Sequence, residues 1–143
     1  MGAQELVWGL SVSGRRRMNH PRGAVLLEFT LVVPILLLLV FGITEFGRAW
    51  MTKNIMTQAA REGARYAAVL SPFDISKAKQ RVKESLTGAS LKDYNIEITG
   101  PSGDPPTVTA TVTGTFQVLS GTIIPGFSGD IELQAQSAFR YEW

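Results

Sequence analysis

The ionisable and nucleophilic inventory sets early limits on chemistry. Among 143 residues there is no cysteine and a single histidine, His20. Disulfide frameworks, Cys/His zinc sites, thiol nucleophiles and haem attachment are therefore excluded. A Ser-His-Asp triad would have to recruit His20, which precedes a long apolar block and is separated by it from most polar residues. No carboxylate pair is set by its spacing for acid-base work. Asp104, alone in a Gly/Pro loop, falls far short of the about six to eight oxygen ligands of a calcium cage. The expectation is a non-enzyme with no catalytic residue, no cofactor and no metal. One ionisable group still demands an explanation, and that is Glu28.

Glu28 lies inside the run AVLLEFTLVVPILLLLVFGIT, Ala24 to Thr44, in which it is the sole charge. As a helix these 21 residues extend about 30 Å, the thickness of a bilayer core. A carboxylate at the centre of such a span costs roughly 2.5–3.5 kcal/mol, and less near an interface. The bland reading is that Glu28 reaches back to the headgroups. The functional reading is that a partner neutralises it.

Charge gives the span a direction. Arg15, Arg16, Arg17 and Arg22 precede it against Glu5, whereas the next stretch carries Arg48 and Lys53 against Glu45. The positive-inside rule then puts the N-terminus in the cytosol and the chain after Trp50 outside. Phe41 to Gly47 offers no small-x-small cleavage site of a secretory signal, which also weighs against a twin-arginine signal at Arg15–Arg17, and a lipoprotein signal would need a cysteine. Because the leader holds the positive excess, the net charge of +2 does not describe a basic field over the rest. Lys77, Lys79, Arg81, Lys83 and Lys92 read as a solvated face, so nucleic acid is not an expected partner.

Gly23 stands five residues before Glu28, so a cut after Gly23 would leave Ala24 as the new N-terminus and Glu28 as the fifth residue. A basic leader, a glycine, a glutamate at that spacing and an adjoining apolar helix resemble the processing site of type IV pilin-like proteins. The series is more specific: Arg22-Gly23-Ala24-Val25-Leu26-Leu27-Glu28-Phe29, then Val33-Pro34-Ile35, then Gly42-Ile43-Thr44-Glu45-Phe46-Gly47-Arg48, then Ala59-Ala60-Arg61-Glu62-Gly63-Ala64-Arg65-Tyr66-Ala67. Over residues 22–69 it resembles the TadE-like family, pseudopilins or minor pilins of the tight-adherence (Tad, or Flp) pilus system. The Ile124-Pro125-Gly126-Phe127 stretch and the alternating tail are similar to that family but less specific.

The resemblance implies a structural subunit cut by a prepilin peptidase on the cytosolic side. It implies partners among other pilin-like subunits and Tad assembly proteins, and residence in the bacterial inner membrane or on the pilus and cell surface. Gly23 and Ala24 would be the processing site and Glu28 the assembly carboxylate. In a low-dielectric bundle, the amine of one subunit's Ala24 and the Glu28 of a neighbour would offset each other's burial. Leaders of this system are often short. Met18 to Gly23 would suffice, so starts at Met1 and at Met18 give the same mature product.

The elements that must carry these residues follow from periodicity. Pro34 removes a backbone donor within the span and predicts a kink. No breaker follows until Ser71-Pro72, so a helix is expected from Ala24 to about Val69, a stalk of roughly 69 Å. Trp50 would anchor its outer interface. Ala59, Gly63 and Ala67, and beside them Ala60, Ala64 and Ala68, recur every four residues. Such a stripe permits close packing, either onto this chain's own sheet or onto neighbouring subunits.

Asp74 is placed to cap a short helix with Ile75, Ala78, Val82 and Leu86 on one face, ending near Gly88. Alternation then changes to period two. Tyr94, Ile96 and Ile98 form one strand, and Val108, Ala110, Val112, Gly114 and Phe116 between threonines form another, with a Gly/Pro hairpin at 100–106. Ile131 to Trp143, with Leu133, Ala135, Phe139 and Tyr141 on one side, reads as a third, half-buried strand. Residues 117–130 read as an exposed loop, or as a segment whose Val118-Leu119 and Ile123-Ile124 touch partners or membrane.

The expected fold is α+β: a long N-terminal transmembrane and stalk helix, a short amphipathic helix and a three-stranded antiparallel sheet. The expected organisation is a leader over 1–23, a membrane helix over 24–44, its extracytoplasmic continuation over 45–70 and a small domain over 71–143. The competing function is an uncleaved, membrane-anchored extracytoplasmic binding or adhesion module.

Overall fold

A computed structural model describes residues 21–119 and 129–142. The predicted leader before Pro21, with His20 and the arginine run, the Pro125-Gly126 stretch within 120–128, and Trp143 lie outside the described residues. The fold is α+β, with a long apolar helix, a short helix and a three-stranded antiparallel sheet. Two compact units divide at Leu36/Leu37.

Helix α1, Pro21–Ala68, contributes to both units. It is already helical at Pro21, three residues before the expected start, and it continues through Pro34. Its end falls where Val69 and Leu70 donate to the carbonyls of Tyr66 and Ala67 in tighter turns, just ahead of Ser71-Pro72. A proline disfavours helical geometry at the residue before it, so the helix stops here.

In the second unit, helix α2 (Ile75–Ser85) starts as the sequence predicts. The Asp74 carboxylate accepts from the backbone N–H groups of Ser76 and Lys77 at 2.8 and 3.2 Å, satisfying donors that the first helical turn leaves unpaired. Ala78, Val82 and Leu86 are buried as expected. Ile75 is not: it is 44% exposed, because the first turn of α2 projects beyond the covered surface. Gly88, at φ 91°, reverses the chain into the sheet through a conformation that side chains with a Cβ resist.

Strands β1 (Leu91–Ser102), β2 (Thr107–Gln117) and β3 (Asp130–Arg140) form an antiparallel sheet in the order β1-β2-β3. β1 and β2 make the expected hairpin, with β1 reaching three residues into the Gly/Pro stretch, to Ser102, through an irregularity between Thr99 and Ser102. The alternation of β2 is realised in full. Val108, Ala110, Val112, Gly114 and Phe116 are buried while the intervening threonines are half-buried. Register sets Val112 between Ile96 and Ala135, and Phe116 between Leu91 and Ile131.

The edge strands are less regular. Tyr94, Ile131 and Phe139 are exposed although their alternation assigns them to the apolar side. All three lie on strands paired along one side only, and the latter two near strand ends. β3 stops at Arg140, short of the expected Trp143, because the backbone turns to other acceptors. Tyr141 N–H donates to the Pro106 carbonyl and Glu142 N–H to that of Ala68, while the Tyr141 hydroxyl donates to the Leu70 carbonyl at 3.0 Å.

The core joins α1, α2 and the sheet. From α1 come Met56, Ala59, Ala60, Ala64 and Ala67, from α2 Ala78 and Val82, and from β2 Val108, Ala110 and Val112, all fully buried. Each buried Val or Met contributes about 1.5–3 kcal/mol, so the bulk of the apolar stabilisation comes from the larger partners. The alanines let the helix backbone approach them. Gly63 carries this furthest: a Cβ there would collide with Val82 Cγ2 and lie 3.5 Å from Val82 Cβ.

Candidate functional site

In the apolar part of α1 the chain leaves its large side chains uncovered. From Val25 to Ile43 every one except Val33 is exposed, Leu27 at 69%. The most apolar 18-residue window has a mean hydropathy of 2.8 and none of it is buried. Leaving so many large apolar groups in water forfeits on the order of 10–20 kcal/mol, which favours a lipid or protein covering. By length and composition this helix can cross a membrane. Its polar groups fit such a setting. The hydroxyls of Thr30 and Thr44 donate to the carbonyls of Leu26 and Val40, four residues back, at 2.8 and 2.9 Å, which removes their need for water.

Gly23, Ala24 and Glu28 are exposed on α1, and a Cβ at Gly23 would meet nothing within 4 Å. Glu28 makes no ion pair or hydrogen bond among the described residues, so any neutralising group must come from elsewhere. Pro34, also exposed, lacks the N–H that would reach the Thr30 carbonyl.

Where the apolar run ends, a polar cluster fastens α1 to the chain that follows β2. Glu45 Oε2 accepts from Arg48 Nη1 at 3.0 Å, and Glu45 Oε1 accepts from the Leu119 N–H at 2.8 Å. The Arg48 guanidinium lies 5.3 Å from the centre of the buried Phe116 ring, within cation–π range. Phe46 and Trp50 stack on the outer surface with ring centres 6.2 Å apart, and both are exposed. In the sequence, Glu45 and Arg48 stand out as motif residues and as charges that follow the span. Their i, i+3 spacing signalled the ion pair, but nothing local signalled Leu119.

Further along α1, Lys53 donates to the Gln134 carbonyl on β3, and Thr52, buried, accepts from the Ser90 N–H at 3.4 Å. The small residues Ala59, Ala60, Gly63, Ala64 and Ala67 face inward in this unit and are buried in its core. Glu62 receives two hydrogen bonds from Arg81 of α2, at 2.9 and 3.1 Å. The hydrogen bond and the charge of Glu62 raise the Arg81 pKa above its ordinary value. Both partners are solvated and bridge the two helices without forming a reactive centre.

Residues 23–65 match the family model described as TadE-like protein. The chain carries a TadE-like segment. It covers the run from Gly23 through the membrane-compatible part of α1 and most of the buried Ala/Gly face. No curated protein and no solved structure gives a significant match.

Proposed function

We propose that this chain is a pseudopilin, or minor pilin, of Tad (Flp) pilus assembly or secretion. A prepilin peptidase cuts it after Gly23, and it is incorporated through its N-terminal helix. The observation that carries this reading is the TadE-like match beginning at Gly23, on a helix whose apolar surface its own chain leaves uncovered. In the membrane that surface meets lipid, and in an assembly it meets the helices of other pilin-like subunits.

Glu28 gives the helix a specific contact within this otherwise undirected apolar surface. The carboxylate is exposed and unpaired among the described residues, five positions after the scissile glycine. The free amine created at Ala24 of an adjacent subunit supplies the opposite charge. Their attraction is strong in a low-dielectric bundle, and each removes the penalty of burying the other alone. The span runs from about Ala24 to Thr44 in the inner membrane, with the N-terminus cytosolic and the domain extracytoplasmic.

The test separates processing from assembly. Glu28→Ala is expected to be cleaved like wild type yet to accumulate in the membrane, with incorporation into the sheared or cross-linked pilus assembly reduced at least tenfold. Incorporation at the wild-type level would overturn the role of Glu28.

A further inference from the structure

At the end of the apolar run a pocket of about 210 Å³ is lined by Arg48, Ser90, Leu91, Lys92, Gln117 and Leu119. Its wall holds two cations, Arg48 and Lys92, each with a carboxylate partner beside the pocket, Glu45 and Asp130. Glu45 and the Phe116 ring hold the Arg48 guanidinium in place. Lys92 pairs with Asp130 at 3.6 Å, with both groups about half exposed, a surface pairing of little strength that a better acceptor can displace. Leu119, 52% exposed, adds an apolar lip.

Position decides what the pocket meets. Arg48 lies one helical turn beyond Thr44, about 6 Å along the axis. The headgroup layer occupies about 5–7 Å on each side of the hydrocarbon core. Phe46 and Trp50, exposed on either side of Arg48 in sequence, are residue types that settle at this depth. A guanidinium pairs with phosphate through directed charge-assisted hydrogen bonds, and an ammonium adds a point charge.

We propose that the Arg48–Lys92 pocket binds the phosphate of a membrane phospholipid, with Leu119 against the start of its acyl chains. This rests on the reading that α1 spans a membrane up to about Thr44. The bound lipid fixes the depth of α1 and holds the lower rim of the sheet against the bilayer surface.

The experiment is native mass spectrometry of the full chain in non-ionic detergent micelles doped with phosphatidylglycerol. Wild type is expected to retain bound phosphatidylglycerol. Lys92→Gln, at an exposed position that leaves the fold intact, is expected to lower retention about threefold, and Arg48→Gln with Lys92→Gln at least tenfold. Lys79→Gln with Lys83→Gln, on α2, is expected to match wild type. Equal retention by all variants would overturn the pocket assignment. Displacement of the lipid by millimolar inorganic phosphate would overturn the lipid in favour of a soluble phosphate. Recovery of the chain in the soluble fraction of lysed cells would instead overturn the membrane-spanning reading.

Discussion

Gly63 of α1 and Val82 of α2 pack so closely that a methyl group on the first would occupy the space of the second's Cγ2. The crossing of the two helices is therefore set by the absence of one carbon atom. Gly63→Ala gains up to about 1 kcal/mol of helix propensity but overpacks a core contact, which costs about 1–3 kcal/mol. A net loss of stability is expected, read as a lower urea midpoint for unfolding of the unit that holds α2 and the sheet. Adding Val82→Ala makes room for the methyl, so the double variant should be more stable than the sum of the two single losses predicts.

Asp74 supplies a second, independent constraint on α2. Its carboxylate accepts from two N–H groups of the first turn. Asp74→Ala is expected to destabilise by about 1 kcal/mol, whereas Asp74→Ser retains most of the cap. Thermal unfolding of the two variants side by side checks this. Equal melting temperatures would show that the cap contributes nothing.

These contacts differ in how visible they were beforehand. The Asp74 cap, the alternation of Val108 to Phe116 and the apolar run from Ala24 to Thr44 are written in neighbouring residues, because caps, strand faces and membrane spans obey local periodicities. The Ala/Gly stripe announced close packing without its partner. Both a sheet and a second subunit satisfy the same spacing, and the fold shows Ala59, Ala60, Ala64 and Ala67 filled in by this chain's own α2 and β2. The Glu45–Leu119 bond joins residues 74 apart, and no local pattern encodes such a contact. Ile75, Tyr94, Ile131 and Phe139 mark the opposite limit. Alternation names a face, but exposure depends on how far the covering elements reach.

Glu45 is the tie between α1 and the segment leaving β2. Glu45→Ala removes both the Arg48 ion pair and the acceptor for Leu119 N–H. Hydrogen bonds to charged groups contribute about 1.5–3 kcal/mol, so a comparable loss is expected, together with faster proteolytic cleavage after Leu119. Glu45→Gln keeps an acceptor for Leu119 and should restore most of the protease resistance. Resistance equal to wild type in the alanine variant would contradict this role.

The central claim is that an apolar helix is released from a cytosolic leader so that its new amine and Glu28 of a neighbour can pair. Intact-mass and N-terminal peptide analysis of the chain from cells with an active prepilin peptidase tests it most directly. The expected mature product begins at Ala24. A product that still begins at Met1 or Met18 in those cells would contradict the claim and leave an uncleaved, membrane-anchored exterior domain.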